Sequence, residues 1–340
     1  MFVLALPVAK SQQGDCAIVL KNAQKTYDAG AIEKVPDMLQ PCLESGFTRE
    51  ERIQAYRLLI LTYLFGNNKT DADKYMVKLL KTEPEYQVNP AVDPPEFIKL
   101  YESYRTLPLY SVGVIAGGNF SFVNVLEAYS LDNVNSAPGK YKSKANFQGG
   151  INVNRYLYDH IELSLDIIYM LNTFEYVNNA LLSNTNTVTF LENQTWIRAP
   201  LTATYAFDYG KWKPFARLGG CFGYLLNDQA TVIRNYGSNL SSEEKGPPVN
   251  MFQYNQREKY NYWIVFGGGV RYMVKRGFFT FDLGYNLGLA NIVNQQNRFS
   301  NTDLLYTYYY VDSDFKLSNL TFSLGFNYSF YKPTKKKTIG

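Results

Sequence analysis

In the stretch LSNLTFSLGFNYSFY, residues 317–331, Leu320, Phe322, Leu324, Phe326, Tyr328 and Phe330 occupy every second position, separated only by Thr321, Ser323, Gly325, Asn327 and Ser329. A β-strand turns successive side chains to opposite faces. This spacing therefore lays an aliphatic and aromatic row on one face and small polar groups on the other. The same period sets in after Pro108 and predicts eight strands, at about 110–122, 144–156, 161–175, 192–207, 213–226, 259–274, 278–290 and 317–330. A half-buried strand of a soluble sandwich alternates too, so the connections have to separate the two cases. YLYDHI, FDYGKWKP and VKRGF are short, whereas 123–143, 176–191, 227–258 and 291–316 are long. An even strand number with short turns at one end and long loops at the other predicts an antiparallel transmembrane β-barrel, with turns in the periplasm and loops outside.

Composition supports this reading. Of 340 residues, 46% are hydrophobic and only 19% charged, with 29 tyrosines, 22 phenylalanines and one histidine. That is a low charged fraction for a wholly water-exposed surface. Past the apolar stretch at the chain start, nothing approaches the roughly 20 apolar residues of a spanning helix. The net charge of +4 is matched by Lys332, Lys335, Lys336 and Lys337 in the terminal run YKPTKKKTIG, so no basic nucleic-acid-binding face is indicated. Zinc-finger, Rossmann and phosphate-loop spacings do not occur.

On the predicted strands, the apolar row includes Ile161, Leu163, Leu165, Ile167, Tyr169 and Leu171, and again Phe279, Phe281, Leu283, Tyr285, Leu287 and Leu289. These residues are expected to face lipid. The opposite rows carry Glu162, Asp166, Arg198, Arg217, Arg271 and Asp282. Unpaired charges in a narrow interior are costly, so the six are expected to form one neutral lumenal network. Tyr156, Tyr158, Phe174, Tyr176, Tyr205, Phe207, Trp212, Tyr328, Phe330 and Tyr331 lie near strand ends and are candidates for interfacial belts.

Ahead of the barrel the period is helical, so the chain reads as an α + β multidomain protein. Residues 1–13, with MFVLALPVAKSQQ, are expected to be a residual signal peptide or a disordered terminus. Residues 14–107 are expected to form a periplasmic helical domain, 108–331 the eight-stranded barrel, and 332–340 a lysine-rich periplasmic tail, either solvated or bound to lipid phosphates. Helices are predicted over 15–29 and 31–44, then from REERIQAYRLLILTYLF behind a Thr48–Glu51 capping box, and from KTDADKYMVKLLKTEP, stopped by Pro84. DPPEFIKLYESYR adds a last helix. Cys16 and Cys42 fall at adjacent ends of an antiparallel hairpin; a disulfide and a pair of buried free thiols both fit, and Cys221 has no obvious partner. The second hairpin resembles a tetratricopeptide repeat, with Tyr63, Ala72, Met76 and Pro84 at that motif's spacing. Such repeats usually bind proteins.

The barrel segment resembles the PorT-like outer-membrane barrels of Bacteroidota. YGKWKPFARLGGCFGYLL (209–226), GGGVRY (267–272), FTFDLGYNLGL (279–289) and LTFSLGFNYSFY carry the likeness, although nine residues follow Tyr331 where such barrels usually end. The resemblance implies an outer-membrane location and no catalytic residue. It also leaves several roles open among similar barrels, type IX secretion components and adhesins included.

Catalysis is not indicated by the residues themselves. A serine hydrolase needs serine and histidine together, and the single histidine, His160, falls in a predicted turn without a serine and acid constellation. No cofactor or metal site is expected. Eight strands also leave an interior that side chains fill, which argues against an open diffusion pore. The expectation is a non-enzymatic outer-membrane anchor and scaffold in contact with lipid, recruiting periplasmic or outer-membrane protein partners into a hetero-oligomeric envelope machine. Accessory service in outer-membrane protein assembly and surface adhesion or ligand binding are the alternatives.

Overall fold

Among the described residues, eleven strands pair into one antiparallel sheet: β1 Tyr110–Glu127, β2 Lys140–Ser143, β3 Ala145–Tyr156, β4 Ile161–Ala180, β5 Asn186–Ala206, β6 Trp212–Tyr236, β7 Ser242–Lys245, β8 Val249–Asn250, β9 Tyr260–Val274, β10 Gly277–Gly288 and β11 Asp314–Phe330. Eight of them close a ring in the order β1-β3-β4-β5-β6-β9-β10-β11, with β11 returning to β1. This computed structural model describes residues 9–132, 139–181, 186–236 and 242–336. It divides into two units, Tyr110–Ser329 and a helical one made of Met1–Leu109 with Phe330–Gly340.

Closure satisfies the backbone. A free strand edge in hydrocarbon would strand a row of N–H and C=O groups, each costing several kcal/mol. Alternation then decides which residues meet lipid. Ile161, Leu163, Leu165, Ile167 and Tyr169 are exposed on the outer face of β4, and Phe279, Phe281, Leu283, Leu287 and Leu289 on and just past β10. From Ile161 to Leu171 is about ten residue steps, or roughly 34 Å of strand and 26 Å of height at a tilt of about 40°. An outer-membrane apolar band is about 25 Å tall.

The strands at the short-turn end match their sequence-predicted limits closely, but several run much further at the other end. β4 continues to Ala180, β5 begins at Asn186 and β6 reaches Tyr236. Beyond Leu171 the outer face becomes largely polar, with Thr173, Thr187, Thr189 and Asn193 pointing out beside Val177 and Leu191, while Phe174, Tyr176, Val188 and Phe190 are buried inside among polar Asn172, Asn178, Glu192 and Gln194. The ring thus leaves the hydrocarbon and becomes the wall of an aqueous cup. A bulge between Thr195 and Trp196, opposite Leu225 and Asn227, marks the transition on β5 and β6.

Two expected belt residues are corrected by this change. Phe174 and Tyr176 are core residues of the cup, because β4 has already left the membrane where they stand. Tyr156 also turns inward, its hydroxyl 3.4 Å from Ser111 Oγ. Tyr158, Tyr205, Phe207, Trp212, Tyr328 and Phe330 remain exposed around the short-turn end, where Tyr205 packs on Phe207 and Trp212 on Tyr272.

The helical unit contains α1 Ala9–Asp28, α2 Val35–Glu44, α3 Arg49–Phe65, α4 Lys69–Thr82 and α5 Pro95–Glu102. The first helix starts at Ala9, earlier than its expected start at 15, while residues 1–8 of the expected leader lie outside the described part. Thr48 caps α3 through a complete capping box with Glu51. Asn68 caps α4, which stops before Pro84. Leu39, Ala55, Leu59, Ile60, Ala72, Met76, Leu79 and Phe97 are fully enclosed, and Tyr63 stacks on Tyr75 at 5.6 Å. Cys16 and Cys42 are joined across a separation of 26 residues, with Cα atoms 5.7 Å apart. A loop of that size is worth on the order of 3 kcal/mol to the folded state in the chain-entropy model.

The last described residues are part of this unit rather than a solvated tail. Arg105 N donates to Thr334 O at 2.9 Å and Lys336 N to Ser103 O at 2.8 Å, around an antiparallel bridge between Tyr104 and Lys335. Lys335 Nζ lies 2.5 Å from Asp73, which also accepts the Tyr104 hydroxyl at 2.8 Å. Burial, reinforced by the bond to Asp73, holds that phenol well above the usual tyrosine pKa. Lys337 and the residues after it lie outside the described part.

The change in outer-face polarity sets two substitutions against each other. Leu165→Arg, near mid-membrane, is expected to destabilise the barrel by about 2–4 kcal/mol. Thr189→Arg, on the same outer surface but above the membrane, is expected to change stability by less than about 0.5 kcal/mol. Urea titration of the protein in lipid bilayers measures both.

Candidate functional site

The lumen is filled in layers that can be followed along the inward residues of β5, from Thr204 at the short-turn end to Val188 at the far end. Nearest the turns, Arg271 holds Glu162 with both terminal nitrogens, one of them at 2.9 Å, and lies over the rings of Phe215 and Phe278. Above it Arg217 bridges two acids, at 2.6 Å from Asp282 and 3.7 Å from Asp166. A cavity of about 60 Å³ lies here, lined by Asp166, Arg217, Asp282, Gln148, Thr202 and Thr280 among others. That is room for a few water molecules.

The expected single network of six charges is therefore divided. Glu162 pairs with Arg271, and Asp166 and Asp282 share Arg217. Arg198 goes elsewhere: its Nη1 donates to Asn319 Oδ1 at 2.8 Å, and its guanidinium lies 3.8 Å from the centre of the Trp263 ring. The physical reason is register. Along β5, Arg198 faces the lumen three inward positions further from the turns than Thr204, the strand partner of Glu162. Asn319 also donates to Asn172 at 3.0 Å and to Ser121 at 3.2 Å, completing a polar layer below the crossed rings of Trp196 and Trp263.

A second charge cluster, not anticipated from the sequence, seals the base of the outer cup. Arg257 is enclosed completely, and its guanidinium directs all five N–H groups at protein acceptors. Nε and Nη2 meet Glu192 at 2.7 and 2.5 Å, Nη1 and Nη2 meet Asp312 at 2.8 Å each, and Nη1 also reaches Gln256 O at 3.2 Å. Asp228 stands 3.6 Å from Nε. Gln194 ties the acids together, donating to Glu192 at 2.6 Å and to Asp228 at 3.2 Å, and itself accepts from Trp196 at 2.8 Å. One side chain thus joins β5, β6 and the segment before β11.

That segment, 289–313, folds down into the cup. It carries α6 Thr302–Tyr306, and Leu304, Tyr308 and Tyr310 pack with Tyr176, Leu181, Val188, Phe190, Val232 and Met251. Tyr310 stacks on Phe190 at 3.9 Å and donates its hydroxyl to Asp312 at 2.9 Å. Burial pushes the Tyr310 pKa well above that of a free tyrosine, keeping the donor proton in place. Ile292 and Val293 join Phe174, Phe315 and Leu317 in an adjoining cluster. Arg298 binds Asp314 and donates to Asp312 O at 2.7 Å, so the cap is fastened at two arginines. The sequence signal for Arg257 and its acids was weak: Glu192 keeps the inward phase of β5, but Arg257 and Asp312 stand in segments that look like loops.

His160 lies at the turn before β4, exposed, with Nδ1 at 3.0 Å from Ala206 O and its ring beside Tyr205. Among the described residues, no group of three or more histidine, cysteine, aspartate or glutamate side chains is arranged to hold a metal ion. Likewise no helix among them is long and apolar enough to cross a membrane.

A closed eight-stranded ring with a lipid-facing apolar band and a packed polar interior defines an outer-membrane barrel protein. The chain belongs to the outer membrane protein beta-barrel domain family, whose model matches residues 108–294. No curated protein matches it. Among solved structures it is similar to OprG from Pseudomonas aeruginosa at 12% identity, covering 66% of this chain and 98% of that one with a TM-score of 0.36. Similarity extends to Ail, the attachment invasion locus protein of Yersinia pestis, at 12% identity over 64% of this chain and 99% of that one, TM-score 0.28. The outer membrane protease OmpT from Escherichia coli matches at 10% identity over 66% of this chain and 97% of that one, TM-score 0.24. At such distances neither attachment nor proteolysis transfers to this chain.

Removing the central guanidinium tests the seal. Arg257→Ala leaves Glu192, Asp228 and Asp312 buried together, at a cost of about 3–5 kcal/mol. The cap is the element free to open, so limited thermolysin digestion should cleave within 289–313 in the variant and not in the parent. The barrel itself should keep its heat-modifiable electrophoretic mobility.

Proposed function

We propose that the protein is a non-enzymatic anchor and scaffold of the outer membrane, whose helical domain recruits periplasmic or membrane partners into a multiprotein envelope machine. The observation that carries this reading is the sealed lumen. Salt-bridge layers, crossed tryptophans, the Arg257 cluster and the folded cap occupy the interior, so the function lies on surfaces outside it. The helical domain, with its tetratricopeptide-like hairpin, is the natural recruiting surface. Its disulfide suits the oxidising periplasm, and both barrel ends of the chain, Tyr110 and Phe330, fall at the short-turn end, which in such barrels faces that compartment. Type IX secretion as the particular setting rests on the PorT-like stretches alone, and outer-membrane protein assembly is a setting of the same kind.

A second reading, surface adhesion or ligand binding, is favoured by the cap. Long loops that pack into a fixed shape cost less entropy on binding than mobile ones. Pull-down from membranes in mild detergent discriminates the two. The intact protein should recover partners that a version lacking residues 15–105 loses, with both barrels folded. Equal recovery would remove the recruiting role and leave the cap as the binding surface.

A further inference from the structure

Three lysines stand together on the outer surface where the barrel leaves the hydrocarbon. In β2, Lys140 lies opposite Val177 and Lys142 opposite Glu175, and both side chains point outward because Tyr141 between them turns inward against Phe174, Tyr176 and Phe315. Lys144 follows at the junction with β3. Its Nζ is 2.8 Å from Glu175, and that of Lys142 is 3.3 Å from the same carboxylate. The ammonium groups stay accessible, with side-chain exposures of 60% for Lys142 and 42% for Lys144. Lys142 and Lys144 share the Glu175 carboxylate, and Lys140 stands one outward position beyond them, so the three lysines and one acid carry a net charge of about two outward.

Their height is what gives this patch a ligand. Below them, Phe147 on β3 and Tyr169 on β4 are exposed in the lipid-facing row. Lys144 and Lys142 sit level with residues about two to four steps beyond Leu171 on β4. At about 3.4 Å per residue and a tilt near 40°, that is roughly 5–10 Å above the apolar edge. Lys140, opposite Val177, stands about six steps beyond, roughly 16 Å up, and reaches the headgroup layer only by bending its stem down toward the other two. The headgroup layer is about 5–8 Å thick on each side of a bilayer, and lysine stems bend toward charge at that level. We propose that Lys140, Lys142 and Lys144 form a binding site for the phosphate of an anionic lipid headgroup in the leaflet at the long-loop end.

Glu175 has a part in this arrangement. It draws Lys142 and Lys144 to one point, and each ammonium, with three donors, keeps N–H groups beyond those it gives the carboxylate, so a phosphate can bridge the lysines without displacing it. The site uses only the barrel and its height in the membrane. It stands or falls separately from partner recruitment; only the naming of that leaflet as the outer one rests on the orientation proposed above.

Native mass spectrometry of the full chain, released from micelles containing equimolar phosphatidylglycerol and phosphatidylcholine, tests it. The parent should retain phosphatidylglycerol on the order of tenfold more than phosphatidylcholine, from two net charges at the surface. The triple variant Lys140→Gln, Lys142→Gln, Lys144→Gln should fall to near parity. A charge-matched control at the short-turn end, Lys211→Gln, Lys213→Gln, Lys275→Gln, should keep the preference. Heat-modifiable mobility checks that each barrel is folded. Equal loss in both triple variants would show general electrostatics and overturn the site, as would an unchanged preference in the first. Displacement of the lipid by millimolar inorganic phosphate would assign the lysines to a soluble anion and overturn the lipid.

Discussion

Hydrocarbon offers no hydrogen bonds, and that single fact organises residues 110–330. A strand in lipid must have its N–H and C=O groups taken by neighbours on both sides, so β1 has to find β11 across the whole length of the sequence. Once the ring is closed, side chains alone decide what each face meets. Alternation gives lipid an unbroken row from Ile161 to Leu171 and gives the lumen Glu162, Ser164 and Asp166. The same alternation continues past Leu171 with its meaning changed, because the solvent outside is now water and the material inside is the folded segment 289–313. Nothing in the backbone pairing of β4, β5 and β6 changes at that level beyond one bulge.

The interior shows how charges are tolerated in a space too narrow for water to solvate them. Each arginine is matched to acceptors at its own height: Arg271 to Glu162, Arg217 to Asp166 and Asp282, Arg198 to Asn319, Arg257 to Glu192 and Asp312. Buried pairs of this kind add little net stability over a well-packed apolar core, yet breaking one leaves a charge that nothing nearby can neutralise. Their effect is to fix register and to lock the cap, since Arg257 can satisfy its donors only when β5 and the segment before β11 are both in place.

Much of this was legible in the sequence. Strand number and the short turns were readable because lipid imposes a strict period of two, and a turn such as Val274 to Gly277 leaves little freedom. The lipid-facing rows of β4 and β10 followed from the same rule. The outer strand ends were not readable, because Asn178, Asn179, Thr187 and Thr189 resemble a polar loop when taken by composition. Once the outer face turns polar, aromatic residues near a strand end no longer mark a membrane interface, and Phe174 and Tyr176 were misplaced for that reason. The six lumenal charges were identified as inward-facing, but pairing depends on height along tilted strands, which spacing within one strand does not supply. Arg257 and the backbone bonds of Thr334 and Lys336 escaped because non-local contacts fix them and no periodic pattern announces them.

The change of the outer face at Leu171 from apolar to largely polar is the claim on which the membrane position, the cup and the cap all rest. Spin labels placed singly at residues 161–179 of β4, in a Cys221→Ser background, measure it directly through collision with oxygen, which concentrates in lipid, and with a water-soluble nickel complex. Odd-numbered positions from 161 to 171 should favour oxygen, odd-numbered positions from 173 to 179 the nickel complex, and even-numbered positions neither. Oxygen preference that runs on through 175 and 179 would place the whole strand in the membrane and contradict the account.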